Sequence, residues 1–537
     1  MGLRADVTRP ELSVVVPSFN QAETIQDNLR EIARRLEAQG LDFEMVVVSD
    51  GSSDDTHAEA AALDADRVRA LRYDRNLGKG YALRTGSAAA TGDWIAWVDS
   101  DLDLDPGRIE AFLATAKSER LDVVVGSKRH PASEVTYPTR RRVYSWLYQQ
   151  LVRAMFSLDV RDTQVGMKLF RREVLDEVLP VVLVKRYAFD LEILAVARSF
   201  GFERIAEAPI RLDYQFTASG VNPRAIAQAL WDTAAVFYRL RLLRFYERRR
   251  VLAHRVAAHR PDPLPGLTVV LVPVHIDAGT QAAVDRLAAA TPEGTRLLVA
   301  ARAEPGDPLP PLRGAEVVAS GAGSRSERIG RIVHLLTTEV AAFVDQDARP
   351  SDAWAQAALS LMGDAHVGAV VGPTVARLEG PLLDDAAGIL SESRLGVGGA
   401  RIRHHVGQLR EVGDFPASNL FVRVEALQRA VDEGHPLDDE LCGVLRSRQG
   451  LAVLCSPDVV MSSQPLRLFG PYLGMLHRLG RDRGRRVPTG WRPRPRHLAP
   501  LPLIPISTPT IQAYTPHAGL LFQKHMIPLP LLPISTP

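Results

Sequence analysis

Asp99 and Asp101 stand one residue apart at the end of the run Trp94-Ile95-Ala96-Trp97-Val98. That run is apolar, partly β-branched and preceded by the turn Thr91-Gly92-Asp93, the pattern of a buried strand. Carboxylates leaving the carboxyl end of a strand in an open α/β sheet lie where such sheets bind ligands. Two hard oxygen donors with an open side suit Mg²⁺ or Mn²⁺ carrying a diphosphate, and Asp103 follows as a third candidate ligand. A plainer alternative is an acidic helix start, with Asp105 as the cap before Pro106.

The elements needed to position these acids are legible around them. Residues 11 to about 220 alternate strand and helix patterns, which argues a mostly parallel sheet covered by helices. Leu12–Val16 reads as a strand stopped by Pro17, and Ala22–Ala38 as an amphipathic helix. Phe43–Val48 is a second strand ending at Ser49-Asp50-Gly51-Ser52, followed by a helix from Ser53 to Ala62. Val68–Tyr73 is a short strand, Gly78-Lys79-Gly80 opens another helix, and Val123–Gly126 is a further strand.

Two later segments combine apolar and basic residues. Arg140–Leu158 places Val143, Leu147, Leu151, Met155 and Leu158 on one helical face, with Arg140, Arg141, Arg142 and Arg153 elsewhere. From Asn222-Pro223 to Arg250, Arg239, Arg241, Arg244, Arg248, Arg249 and Arg250 accompany Trp231, Phe237, Tyr238, Phe245 and Tyr246. Basic helices of this kind lie at a membrane surface or pack on a sheet with a solvated outer face.

Bulk composition bounds the class. At 537 residues, two or three domains are expected. Lys+Arg 65 against Asp+Glu 63 gives a net charge of +2, no global signal for a nucleic-acid partner. Cys442 and Cys455 are too few for a disulfide framework or a cysteine-rich zinc site. The start runs almost directly into a strand, leaving no room for a signal peptide, and no segment reaches about 18 uninterrupted apolar residues. The expectation is a cytoplasmic protein, peripheral to the inner face of the membrane.

The ordered set of short motifs carries more than any one of them. Val14-Val15-Val16-Pro17-Ser18-Phe19-Asn20, Ser49-Asp50-Gly51-Ser52-Ser53-Asp54-Asp55-Thr56, Asn76-Leu77-Gly78-Lys79-Gly80, Ala90-Thr91-Gly92-Asp93 and Asp99-Ser100-Asp101 come in sequence. Gly126-Ser127-Lys128-Arg129, Asp162-Thr163-Gln164-Val165-Gly166-Met167-Lys168-Leu169-Phe170 and Phe189-Asp190-Leu191-Glu192 follow. Together they resemble glycosyltransferase family 2, of GT-A fold (an α/β, Rossmann-like mixed sheet), and within it the dolichyl-phosphate glucosyltransferase and mannose synthase branch.

The resemblance implies roles. Pro17, Phe19, Asn20, Gln21, Asp50, Gly78 and Lys79 would line the nucleotide-sugar pocket together with Asp99, Ser100 and Asp101. Asp99 and Asp101, assisted by Asp103, would hold the metal. Lys128, Arg129 and Asp190 would be catalytic, and Arg140, Asp162, Gln164, Lys168 and Glu192 would face the acceptor. Asp190 and Glu192 read equally well as favourable first-turn acids of a helix. Asp162-Thr163-Gln164 tilts the donor toward UDP-glucose rather than GDP-mannose. The family often has tyrosine at Phe19, glutamate at Gln21, aspartate at Ser49 and cysteine at Val165, and several relatives carry membrane helices that have no counterpart in this sequence.

The chemistry follows independently. A divalent metal neutralises charge on a leaving nucleoside diphosphate. A polyprenyl phosphate is already anionic at neutral pH and attacks the anomeric carbon without a base, inverting it. Arg140–Arg142, Arg161, Arg171 and Arg172 are candidate clamps for that phosphate. Two rivals remain: a family 2 transferase acting on a sugar hydroxyl, with Asp190, Asp438 or Asp439 as base, and a non-catalytic sugar-nucleotide scaffold.

Val251–Gly266, with three prolines, reads as a linker after a catalytic domain spanning 1–250. From Thr268 the alternation resumes, and Val340–Val344 again ends on paired acids, Asp345 and Asp347. With Asp438 and Asp439 near its end, the region 267–480 reads as a second, divergent GT-A copy. It has no acid around Ala301-Arg302-Ala303, where Asp50 has its counterpart, and a scaffold role is expected. Residues 481–537 are Arg- and Pro-rich and read as a disordered or extended tail.

Overall fold

The computed structural model describes residues 9–63, 67–133, 139–183, 189–211, 223–393, 397–413, 415–416, 418–435, 437, 441–475 and 477. The motif-bearing half is built from strands β1 (Leu12–Ser18), β2 (Phe43–Asp50), β3 (Val68–Tyr73), β4 (Trp94–Trp97), β5 (Val123–Ser127), β6 (Lys168–Arg171) and β7 (Ile205–Pro209). They form one sheet in the order β3-β2-β1-β4-β6-β5-β7. All neighbours are parallel except β6, which runs antiparallel to both β4 and β5. β1 is buried at every position, as expected of a central parallel strand.

Pro17 does not stop β1. Val15 accepts the Val98 amide, so residues 15 and 17 direct their backbone groups toward β4. The β1–β4 pairing ends at Val15, so Pro17 sits where no ladder donor is required on that side, while its β2 partner is Val48.

Helix α1 (Ile25–Glu37) follows β1 and buries Ile25, Leu29, Ile32 and Leu36, one stripe at helical spacing. Each such side chain contributes about 1.5–3 kcal/mol on burial. α2 (Thr56–Ala61) follows β2, and α3 (Lys79–Ala89) joins β3 to β4. α3 is buried nearly all round, from Gly80 to Ser87 and at Ala89. α4 (Ile109–Ser118) buries Ile109, Phe112, Leu113 and Ala116.

Three helices finish this half. In α5 (Thr139–Phe156) the Leu147 and Leu151 face reads from sequence either as a membrane-surface face or as one that packs on the sheet. Leu147 is 53% and Leu151 40% exposed, while Val152 and Phe156 are buried. The helix is turned so that the neighbouring stripe packs, with Phe156 edge-on to Phe237 at 6.0 Å. Leu158 is buried just beyond the helix end, and the Val143 side chain lies outside the described residues. α6 (Arg172–Val178) and α7 (Phe189–Ser199) pack on the sheet, and α8 (Pro223–Phe237) leads through the π-helical turn Tyr238–Leu242 to α9 (Glu247–Ala258). The stretch read as a linker therefore begins as helix: α9 continues through residue 258, stabilised by Arg255 ion-paired to Asp364.

The second half repeats the plan. Strands β8 (Leu267–Leu271), β9 (Arg296–Ala301), β10 (Glu316–Ala319) and β11 (Val340–Val344) precede β12 (Arg349–Pro350), β13 (Val367–Val371) and β14 (Thr374–Ala376). β15 (Arg410–Glu411), β16 (Asn419–Arg423), β17 (Ala452–Cys455) and β18 (Met461–Ser463) complete the set. The main sheet runs β10-β9-β8-β11-β16-β13-β17-β15. Apart from the added β15 edge, this is the first sheet's order strand for strand, with β16 as the antiparallel counterpart of β6. Helices α10 (Ala278–Ala289) and α11 (Arg325–Ile332) correspond to α1 and α3. The expected repetition of the α/β plan is thus present in the two sheet orders.

The backbone divides into two compact units. One comprises Met1–Arg377 with His405–Gln464 and holds both sheets; the other comprises Leu378–His404 with Pro465–Pro537. Within the second, Ala387, Val397 and Tyr472 form a small core. Among the described residues no helix is long and apolar enough to cross a membrane. The expected tail, 481–537, lies outside the described residues.

Candidate active site

Val98 still donates to the sheet, so Asp99 is the first residue to leave it. Its carboxylate is ion-paired to Lys79, the first residue of α3. Gly166 stands behind it, and a side chain at 166 would overlap the Asp99 carboxylate. Ser100 is held from both sides: its carbonyl accepts from Asn28 Nδ2 at 2.8 Å, and its hydroxyl donates to Gln21 Oε1. Asp101 is exposed, with Oδ1 accepting the Asp103 amide at 3.1 Å.

Partial burial, then the negative charges of Asp101 and Asp99, push the Asp103 carboxyl up. Burial alone would lower the Lys79 ammonium, but Asp99, Asp190 and Asp101 together raise it. Among the described residues no three His, Cys, Asp or Glu side chains are grouped to hold a metal. Asp99 is turned onto Lys79, and Asp101 onto the backbone of its own turn. Asp105 does cap the short helix at Pro106, accepting from Gly107 N at 2.9 Å, so the plainer reading also holds at that one residue.

Asp50 ends β2 and is buried. It accepts from Tyr73 Oη at 2.9 Å, Leu77 N at 2.8 Å and Gly78 N at 3.1 Å. Burial pushes its carboxyl up against the pull of those three donors. Gly51, with φ 63°, lies against the Arg75–Asn76 backbone, where a Cβ would collide. Phe19 is 47% exposed, and Asn20 takes the left-handed conformation, its Oδ1 accepting from Ser53 N at 2.9 Å. Gln21 N donates to Thr56 Oγ1 at 2.7 Å. The β1 and β2 ends are thereby tied together above the sheet.

On the opposite side, Lys168 opens β6 and is fully buried. Its ammonium bonds Asp190 Oδ1 at 2.7 Å and the Val165 carbonyl. Asp190 is a first-turn acid of α7 and a member of this cluster at once. Burial pushes Asp162 up, opposed chiefly by Lys128. Arg129 donates to Gln149 on α5, and Gln164 N donates to Asp162 Oδ1 at 3.2 Å.

Several expected acceptor-side groups are placed elsewhere. Glu192 is fully buried, accepting from Leu183 N at 3.0 Å and from Tyr246, and ion-paired to Arg239 at 3.4 Å. Two positions on from Asp190 along a helix, it turns inward and fastens the α8–α9 turn to α7. Arg171 and Arg172 also miss the site. β6 is antiparallel, so Lys168 lies opposite Trp97 near the acids while Arg171 lies opposite Trp94 at the far end. There Arg171 pairs with Asp122, and Arg172 donates to the Gly92 carbonyl. Arg161 lies 3.9 Å from Glu207. The Arg140 side chain, and Asp438 and Asp439, lie outside the described residues.

Residue types alone did not single out Asn28, Gly166 or Tyr148. Asn28 is a polar position on the sheet-facing side of α1, the one signal available. Tyr148 on α5 bonds Thr233 of α8 at 2.9 Å and feels the charge of Asp190.

In the second copy, Arg325 opens α11 and ion-pairs with Asp345 at 3.2 Å, repeating Lys79 and Asp99. Arg286 of α10 donates to the Gln346 carbonyl at 3.2 Å, repeating Asn28 and Ser100. Asp347 follows as the second acid of this copy. Val16 pairs with Val47 and Leu271 with Val299; three residues further along lie Asp50 and Arg302. Arg302 is exposed and donates to the Ala322 carbonyl at 3.1 Å. Trp97 faces Lys168, whereas Phe343 faces Leu420.

The family model described as glycosyl transferase family 2 matches residues 13–179. Glycosyltransferase AglD of Haloferax volcanii is 35% identical over 204 residues, 37% of this chain and 32% of AglD. The chain thus spans about a third of that relative. Dolichyl-phosphate beta-glucosyltransferase ALG5C of Trichomonas vaginalis is 31% identical over 230 residues, 40% of this chain and 68% of the relative. A solved structure of glucosyl-3-phosphoglycerate synthase from Mycobacterium tuberculosis, in complex with Mn²⁺, UDP and phosphoglyceric acid, is similar at 21% identity and a TM-score of 0.33. It covers 43% of this chain and 78% of that one.

Proposed function

The chain belongs to glycosyl transferase family 2, and on that premise we propose that it transfers a hexose, glucose from UDP-glucose, to a polyprenyl phosphate at the cytoplasmic face of a membrane. The observation that carries this reading is the exposed apolar surface of α5 and α8, two helices joined by the Tyr148–Thr233 bond, with Tyr148 near enough to Asp190 to feel its charge. Trp231 is 74%, Tyr238 51% and Leu242 68% exposed on α8 and its following turn, with Leu147 and Leu151 exposed on α5. The exposed Arg241 and Arg244 are interleaved with them, while Arg239 is turned inward to Glu192. An apolar, cationic surface next to a transfer site suits an acceptor whose phosphate is anionic and whose tail stays in lipid. The dolichyl-phosphate glucosyltransferase relative supports the same acceptor class.

Asp50, held by two amides and Tyr73, would receive the nucleoside, its carboxyl accepting from base or ribose donors. Asp99 and Asp101 fit a hard divalent cation, Mg²⁺ or Mn²⁺, and Asp103 would assist; when bound, the ion neutralises charge on the departing diphosphate. Lys79 holds the Asp99 carboxylate until donor and cation arrive. Lys128 and Arg129 would draw the acceptor phosphate toward the anomeric carbon, with Asp162 and Gln164 beside them. A phosphate oxygen attacks the carbon as the nucleotide oxygen leaves, giving a β-linked product from an α-linked donor. No base is required, consistent with Asp190 being committed to Lys168. A hydroxyl acceptor would need that base free.

The test is incubation of purified protein with Mn²⁺, undecaprenyl phosphate and radiolabelled UDP-glucose or GDP-mannose, then solvent extraction. Lipid-phase label from UDP-glucose, lost in Asp101→Ala, is expected. Label from GDP-mannose alone would overturn the donor, and label appearing only on a sugar hydroxyl would overturn the acceptor.

A further inference from the structure

The segment 72–84 joins the two halves of the site: it leads from the edge strand β3 past Leu77 and Gly78, which hold Asp50, to Lys79, which holds Asp99. On its inner side it is already fixed. A Cβ at Gly80 would crowd the Phe189 ring, and one at Gly86 would collide with Val15, so α3 lies against the sheet and α7 as closely as backbone allows.

Its outer side is covered by the second α/β half. Arg84 is 5% exposed and binds both carboxylate oxygens of Asp458, with Nη2 at 2.8 Å from Oδ2. The same guanidinium donates to the Leu179 carbonyl. Tyr81 Oη donates to the Pro457 carbonyl at 3.1 Å, and the Tyr81 ring meets Tyr73 edge-on at 5.1 Å. Tyr73 in turn donates to Asp50. At the other end, Arg72 N donates to Asp352 Oδ2 at 2.8 Å, Asp352 N donates to Arg72 O at 3.2 Å, and Ser462 Oγ donates to Asp74 Oδ2 at 2.6 Å.

We propose that the second half, through Asp458, Asp352 and Ser462, positions the 72–84 segment of the first half and so sets the donor affinity of the Asp50 pocket. These are positioning residues: none touches the site, and each acts through Arg84, Arg72 or Asp74. The arrangement gives the altered copy a function independent of its own crevice. A buried guanidinium bound at both oxygens of one carboxylate and at a carbonyl has a single low-energy placement. Such a contact orients α3 more sharply than apolar packing would.

The inference rests on the donor reading above, and the test separates the two. Steady-state transfer from UDP-glucose is measured on full-length Asp458→Ala, Asp352→Ala and Ser462→Ala, with melting temperatures and hydrogen exchange of peptides covering 72–84. For the two aspartate variants, KM for the donor is expected to rise about tenfold with kcat within about twofold, and exchange at Leu77 and Gly78 to quicken. Ser462→Ala, which removes one hydroxyl, is expected to raise KM about threefold, and it decides the matter if the aspartate variants do not fold. A lowered melting temperature with an unchanged KM in the folded protein would overturn the inference. If the unaltered protein turns over no UDP-glucose, the donor reading fails instead. Unchanged exchange at Leu77 and Gly78 in the variants then overturns the positioning role by itself.

Discussion

The two copies share a sheet order, a cation on the first turn of the helix before the fourth strand and an acid pair after that strand, yet differ at two places. Where the first copy has buried Asp50 with three donors around it, the second has exposed Arg302. Where the first buries Lys168 against Asp190, the second buries Leu420. An acid pair at a strand end is therefore too little to define a site of this kind. What distinguishes the first copy is the costly part: a buried carboxylate and a buried ammonium, each compensated by dedicated partners. Leu420 needs no such partners.

The largest expected effect contrasts the acid pairs. Asp101→Ala should lower transfer at least about a thousandfold, several kcal/mol of lost charge stabilisation. Asp347→Ala should leave it within about twofold. Comparable losses in both, measured as lipid-phase label per minute, would make the copies equivalent.

Next in size is the proposed acceptor surface. Trp231→Glu with Leu242→Glu should reduce transfer to undecaprenyl phosphate in vesicles about tenfold. Transfer to a short, water-soluble polyprenyl phosphate should persist, and equal losses on both acceptors would remove the membrane role from this surface.

Asp50→Asn comes third. It keeps the shape but removes an acceptor charge, and should raise the donor KM about tenfold. Burial raises the Asp50 carboxyl, so its contribution favours the folded state at low pH and is lost as pH rises through the raised value. The variant should accordingly gain stability relative to the parent above that value.

The smallest effect reads the opposite sign in the second half. The Asp364 carboxyl is buried, and burial would raise it, but the ion pair with Arg255 and the bonds to His366 hold it well below the usual range. Its contribution is present above the ordinary Asp value and lost as pH falls toward the depressed one. Melting temperatures between pH 5 and pH 2 should fall more steeply in the parent than in Asp364→Asn (about 2–4 °C for each kcal/mol in a large domain). Parallel curves would remove the ion pair from the acid response.

Much of the first sheet was legible because each strand is a short apolar run between turn residues. The acid pair was legible because the apolar run stops at Val98 and acids recur at every second position from Asp99 to Asp105. Helix faces were less so. In α5, the Leu147–Leu151 stripe and the Val152–Phe156 stripe are nearly equal in apolar content, and only the neighbour, Phe237 on α8, selects one. Glu192 shows the same limit: a first-turn acid reads as solvated or ligand-facing until Tyr246 and Arg239, from distant sequence, close over it.

By itself, the sequence determined the alternating α/β plan, its repetition, and the positions of Asp50, Lys79, Asp99 and Asp101 at element ends, because periodicity and turn chemistry are local. Tertiary structure alone decided which charges are spent inside the fold. The reversal of β6 sends Lys168 to the acids and Arg171 away from them, and the docking of the second half commits Arg84 to Asp458. Such partners are set by strand direction and by contacts across hundreds of residues, which no local pattern encodes.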